Sequence, residues 1–279
     1  MEQTNVKRLL HTMAPFLIMV LSQRLLTLLT GRLGLTGALA ELLAFLPSAA
    51  VGLALFRLRT FDVQEDGGGD SVPLEVGPLI PESRTVCVLA VFASSAIMIL
   101  LMWGFSAIFS GGFDTRADTT AAGAISLLLI HPLVEEYVFR WRFYRSLREM
   151  SPIFGCLAQA VMFAIMHSSV QGMIYALTGG VMLAFTVEET GVLWSAVAAH
   201  ILVNLRTYCY IGVLAEHPAA RQRIDGVLYV LGLAAAVGIV VIRSRRFRAQ
   251  KEPETPETLP WEQDDEPEKP DETDGDMPS

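Results

Sequence analysis

The sequence predicts an all-α fold: a polytopic membrane helix bundle of about eight transmembrane helices, with both termini on the cytosolic side. Three observations lead there. The 279 residues are 52% hydrophobic, with a mean hydropathy of +0.44, too apolar for an ordinary water-soluble domain. Apolar runs of membrane-spanning length, about 20 residues, recur along the chain. The basic residues fall unevenly on the two sides that those runs define.

The first span is expected at about 13 to 31, weakened by Gln23 and Arg24, and the second at about 38 to 56, carrying Glu41 and Pro47. A polar loop with DGGGD at 66 to 70 reads as a flexible linker. The third span, Thr85 to Ser110, is uncharged, and the fourth starts near Thr119 and carries HPLVEEYVFR at its far end. Residues 150–187 hold no formal charge, a stretch too long for one span and suited to two that turn near His167 to Gly172. The seventh span runs from about Gly191 to Ile211, and the eighth from about 226 to 242.

An even count places both termini on one side. There lie Lys7, Arg8, Arg57, Arg59, Arg84, Arg140, Arg142, Arg145, Arg148, Arg243, Arg245, Arg246, Arg248 and Lys251, fourteen in all; the opposite loops carry Arg32, Arg116, Arg221 and Arg223. Such a bias points to cytosolic termini, in a protein of the cell membrane. The net charge of −8 belongs to the tail: residues 252–279 carry twelve acids and one Lys, a net of −11, which leaves the rest at +3. That tail has almost nothing apolar to bury and is expected to be disordered. Cys87, Cys156 and Cys209 are dispersed in apolar segments and read as packing residues. The chain divides into three parts: residues 1–118 with three spans and a polar cytosolic loop, 119–242 with five spans and the candidate site, and 243–279 with a basic juxtamembrane stretch and the acidic tail. No internal repeat relates the two halves, which argues against a transporter. The expected partners are the lipid bilayer and a peptide or protein at the membrane, with no nucleic acid; nothing bears on the oligomeric state.

The polar groups inside the spans carry the functional reading. Neighbours on a helix differ by about 100°, so Glu135 and Glu136 do not share a face. Glu136 stands four residues before Arg140, the favourable order for an ion pair. Glu135 has no such cation and must look to another helix, a cavity or a proton. His131, one turn earlier, is a candidate to join it, although Pro132 makes the local helix irregular. Two other spans offer His167, one turn after Phe163, and His200, one turn before Asn204. From the cytosolic helix ends Glu135 lies about 10 Å deep, His200 about 14 Å and His167 about 22 Å, so the fifth span must tilt or start below the surface. A lone His or Asn in a bundle reads as interhelical glue. An unpaired intramembrane Glu together with two His reads as function. A carboxylate and imidazoles of this kind suit peptide hydrolysis: the carboxylate takes a proton from water, the imidazoles orient that water or bind a metal, and a carboxamide N–H meets the oxyanion. Gly179 and Gly180 read as close helix packing.

The motifs EEYVFR (135–140), FAIMH (163–167) and HILVN (200–204), in that order on separate spans, resemble the EExxxR, FxxxH and HxxxN motifs of the CPBP intramembrane proteases. That family includes type II CAAX prenyl proteases and Abi-type relatives linked to bacteriocin self-immunity. ETGVLWSAVAAHILVN (189–204) is similar to the family's TGsLW…aH…N stretch, and the likeness covers about residues 130 to 205. The resemblance implies an intramembrane endopeptidase in which Glu135 activates water with His167. It places His200 and Asn204 at the metal or oxyanion position, and Glu136 with Arg140 as a supporting pair. Whether hydrolysis is glutamate-dependent, or uses a divalent metal such as zinc held among Glu135, His167 and His200, stays open. The alternative is a non-catalytic membrane scaffold or immunity-type factor that retains the fold. One departure stands out: Trp141 follows Arg140 where members commonly have Gly, which is expected to alter the helix exit and the substrate entrance.

Overall fold

The structure is a computed structural model that describes residues 3–59, 79–108, 120–167, 169–212, 214 and 216–251. The DGGGD loop, the acidic tail, the end of the third span and the start of the fourth lie outside the described residues. Among the described residues every element is helical. Counting the contiguous segments from Ala121 to Arg148 as one helix gives eight: α1 Gln3–Arg32, α2 Gly37–Arg59, α3 Arg84–Ile108, α4 Ala121–Arg148, α5 Pro152–Ile165, α6 Val170–Thr190, α7 Leu193–Ile211 and α8 Pro218–Lys251. Six of them (α1, α2, α3, α4, α6 and α8) contain stretches long and apolar enough to cross a membrane. Helix α5 has 14 residues, about 21 Å, short of the roughly 30 Å hydrocarbon layer; α7 has 19.

Local chemistry sets the helix ends around the site. Thr120 caps α4 by accepting from the Gly123 amide (3.2 Å), and Ser151 caps α5 ahead of Pro152 at the first helical position. Ser169 caps α6 by accepting from the Gly172 amide at 3.0 Å. At the other end of α6, Gly191 has φ +66°, the left-handed conformation that glycine adopts without strain. A side chain there would also run into the backbone of Ile80 and Pro81.

The helices divide between two units, Met1–Ile239 and Val240–Ser279. In the second, residues 240–251 are helical, and Ser244 Oγ donates to the Val240 carbonyl at 2.8 Å. In the first, one apolar core joins α1, α2, α4 and α5 through Phe16, Met19, Phe45, Phe56, Phe139, Phe143, Met162 and Phe163. A second core joins α3, α6 and α7 through Met98, Ile99, Leu183, Val187, Ala196 and Val203. Hydroxyls tie helices where apolar attraction between them is weak: Ser94 meets Thr186 at 2.6 Å, and Thr12 meets Ser146 at 3.0 Å. Large apolar side chains such as Leu21, Leu28 and Leu233 stay about two-thirds exposed, at 68%, 67% and 69%. A water-soluble surface does not carry such a density of them, so this exterior belongs against lipid.

Helices α5 and α6 pack closest at Gly180, where a Cβ would lie 2.9 Å from both Cα and Cβ of Ala160. Gln159 Nε2 donates across the same contact to the Gly180 carbonyl at 2.8 Å. At Gly179 a Cβ would meet Met98 Sδ at an ordinary 3.7 Å. Gly180→Leu is therefore expected to lose about 1–3 kcal/mol by overpacking, whereas Gly179→Ala stays neutral or gains stability. Thermal melts of both variants in detergent check this; equal melting temperatures would remove the close contact from the account.

Candidate active site

Helix α4 is the spine of the site. It alternates between α-turns and wider π-turns, which occupy Ser126–Ile130 and Glu136–Tyr144 and leave His131–Glu135 as one α-turn between them. The His131 amide donates to the Ser126 carbonyl, five residues back. In that register the next amide would meet the Leu127 carbonyl, but Pro132 has no N–H to give. Asn204 Nδ2 on α7 donates to that carbonyl instead, at 2.9 Å.

The same helix pair joins again at His200. Its Nδ1 lies 2.8 Å from Glu136 Oε1, and its Nε2 lies 3.8 Å from Glu135 Oε2. The imidazole thus stands between the two glutamates, one on each ring nitrogen. Glu136 and Arg140 are both fully buried, with Arg140 Nη1 3.1 Å from Glu136 Oε1. No nitrogen of that guanidinium has an aligned hydrogen-bond acceptor among the described residues. Its positive charge rests on the Glu136 carboxylate and on the ring face of Phe163, 4.5 Å below it.

Phe163 is also the hub for the two histidines of the site. Its ring meets His167 edge-on at 5.1 Å and His200 edge-on at 6.2 Å. His167 Nδ1 donates to the Phe163 carbonyl at 3.1 Å, which assigns the proton to Nδ1 and leaves Nε2 a bare acceptor. His200 repeats the arrangement, since only an N–H at Nδ1 satisfies the Glu136 carboxylate. Glu135 is held on its own helix: His131 Nδ1 lies 3.1 Å from Oε1, and the His131 ring stacks on Phe45 of α2 at 4.7 Å and 8°. Beside this cluster lies a cavity of about 450 Å³ between α3, α6 and α7 and the end of α5. Phe163, His167, His200 and Asn204 line it, together with Met98, Tyr175 and Gly179.

The sequence-predicted residues are largely brought together. Glu135, Glu136, Arg140 and His200 form one contact chain, and His167 and Asn204 share a cavity with His200. The expected division between the glutamates holds for Arg140, yet Glu136 also grips His200, a cross-helix contact with no local spacing to announce it. Trp141 does not end the helix, which runs on to Arg148, and its half-buried ring lies under the Arg145 guanidinium at 4.2 Å rather than in the cavity. Two bidentate ion pairs escaped the sequence reading, besides the single contact of Arg8 with Glu149 at 2.7 Å. Arg148 clamps Glu188 through Nε (2.6 Å) and Nη2 (2.7 Å), with the Tyr144 hydroxyl donating to the same carboxylate at 2.6 Å. Arg206 clamps Asp225 at 3.0 and 2.9 Å, joined by the Tyr210 hydroxyl at 2.7 Å. Each links residues from different helices, so no motif marks it.

Among the described residues no three His, Cys, Asp or Glu side chains are grouped to hold a metal ion. The imidazole nitrogens and the carboxylate are of a type that binds zinc, but their placement does not form a three-ligand set. Removing the Glu136 carboxylate strands a buried guanidinium, a loss of about 3–5 kcal/mol. Glu136→Ala is therefore expected to lower both folded yield and melting temperature, measured by size-exclusion chromatography and thermal unfolding. A normally stable Glu136→Ala protein would count against the ion pair.

In a comparison with protein families, residues 117–206 fit the model of the Rce1-like type II CAAX prenyl endopeptidase family. Comparison with curated proteins and with solved structures gives no match. The matched stretch runs from just before α4 to Arg206 of α7 and contains all three motifs. Residues 117–206 are thus similar to the Rce1-like type II CAAX prenyl endopeptidase family, consistent with the CPBP resemblance of the three motifs.

Proposed function

We propose that the protein is an intramembrane endopeptidase that hydrolyses peptide bonds of membrane-associated substrates, with Glu135 as the general base. The observation that carries this reading is the 3.8 Å gap between Glu135 Oε2 and His200 Nε2. With Nδ1 committed to Glu136, a neutral His200 turns the lone pair of Nε2 toward the Glu135 carboxylate. Two acceptors facing each other are satisfied by one water that donates a hydrogen to each. Its oxygen then attacks the peptide carbonyl while Glu135 takes a proton, and the same proton passes to the departing amine. His167, with Nδ1 fixed on the Phe163 carbonyl, offers a second Nε2 to which the water can give the hydrogen that does not pass to Glu135. Asn204 donates one amide hydrogen to Leu127 and keeps the second for the oxyanion that develops on the substrate.

The reading keeps eight membrane crossings with both termini in the cytosol of a cell-membrane protein, supported by the fourteen-to-four division of basic residues. Residues 119–242 serve as the catalytic core, 1–118 as an accessory bundle and 243–279 as a cytosolic extension. The name of the matched family points to substrates with a prenylated C-terminus. A second reading, a non-catalytic scaffold or immunity-type factor, draws on Asn204, whose bond to Leu127 is a structural use of that side chain.

The test is turnover of a quenched peptide library, with prenylated and unprenylated C-termini, by purified protein in lipid vesicles. Glu135→Gln is expected to reduce turnover by about 10²–10⁴-fold. Activity that survives Glu135→Gln overturns the mechanism, and wild-type protein that cleaves nothing favours the scaffold. A chelator arm separates the chemistries: turnover lost to chelation and restored by zinc assigns a metal, and unchanged turnover supports the glutamate route.

A further inference from the structure

We propose that His131 is a positioning residue that aims the Glu135 carboxylate, a role that rests on Glu135 being the base. Three observations meet at this side chain. Its bond is to a residue of its own helix rather than a neighbouring one, Nδ1 to Glu135 Oε1 at 3.1 Å. The opposite oxygen of the same carboxylate, Oε2, is the one that faces His200 Nε2. The other ring nitrogen, Nε2, is buried without a hydrogen-bond partner among the described residues. An imidazole kept only as glue between helices would spend a nitrogen on another helix. Here its polar engagement is with Glu135 and its ring face is packed on Phe45.

Backbone geometry explains the pairing. Residues His131–Glu135 form the one α-turn between the two π-turns of α4. An α-turn sets positions i and i+4 on one face, one above the other, and brings the imidazole of His131 onto the carboxylate of Glu135. The stack on α2 in turn fixes the imidazole, because Phe45 is itself buried in the apolar core. Glutamate is a long, freely rotating side chain, and a base aimed before the substrate arrives needs such a hold. A carboxylate only accepts, so the proton of this bond is on His131 Nδ1. Oε1 is thereby occupied, and Oε2 is left as the oxygen that meets water.

Two substitutions take the ring apart from the donor. His131→Phe keeps a flat ring to stack on Phe45 and removes the N–H; His131→Asn keeps an N–H near the place of Nδ1 and removes the ring. In lipid vesicles with a cleaved reporter peptide, His131→Phe is expected to lower kcat about 10–100-fold with KM within about twofold and the melting temperature preserved. His131→Asn is expected to recover most of kcat. Wild-type kcat in His131→Phe overturns the proposal, as does an equal loss in both variants accompanied by lower melting temperatures. A readout independent of cleavage uses protein labelled with ¹⁵N-histidine, the His131 signals being assigned by their loss in His131→Phe. Glu135→Gln is expected to shift the His131 Nδ1 resonance; an unmoved resonance overturns the contact even where no peptide is cleaved. Wild-type protein that cleaves nothing while the resonance shifts sinks the protease reading and with it the aiming role.

Discussion

A carboxylate with no exposed surface, that of Glu136, holds the helices around the candidate site in register. Burying it is costly unless the charge is matched, and two partners match it: Arg140 on its own helix and the His200 Nδ1–H on α7. The consequence reaches past stability. Because Nδ1 is spent on Glu136, the position of His200 Nε2 is fixed relative to Glu135, 3.8 Å away. Glu136 thus sets the geometry around Glu135, the residue proposed as the base. The guanidinium of Arg140 closes the arrangement from the other side, seated on Phe163, whose ring also abuts both histidines of the cavity.

A second constraint binds the same helices through the backbone. The π-turns of α4 displace carbonyls from α-helical register, and Pro132 leaves the Leu127 carbonyl without an amide. A bare carbonyl inside a bilayer is expensive, and Asn204 removes the cost by donating to it. The last residue of the third motif is therefore answered by a proline inside the first motif's helix. Two features that look unrelated in sequence, a helix-breaking residue and a buried carboxamide, are one contact in space.

That contact shows what the sequence could and could not disclose. Helix periodicity separated Glu135 from Glu136 and paired Glu136 with Arg140, and the glycine pair did mark close packing, at Gly180 against Ala160. Those readings rest on i, i+4 geometry or on residue size, both written locally. The grip of Glu136 on His200, the clamp of Arg148 on Glu188 and that of Arg206 on Asp225 join helices whose relative placement no local spacing encodes. The π-turns were hidden for a related reason, since an i+5 register leaves no hydrophobic period distinct enough to read. Pro132 made His131 look like a casualty of an irregular helix, yet the irregularity falls in the turns on either side and spares the α-turn that carries it.

The division of labour between the helices bears on substrate choice. Every side chain assigned to bond cleavage comes from the matched stretch, residues 117–206, on α4, α7 and the end of α5. The cavity beside them is not built from that stretch alone: Met98 and Met102 of α3 form part of its wall, facing Gly179 and Leu183 of α6. Phe45, which fixes the His131 ring, is likewise contributed from outside, by α2. Methionines are adaptable wall residues, and a glycine opposite leaves room that any side chain would take up. Chemistry and pocket shape are thus set by different parts of the chain. The family likeness covers the stretch that holds the proposed chemistry, whereas the shape of the cavity is set partly by α3, where the likeness does not extend.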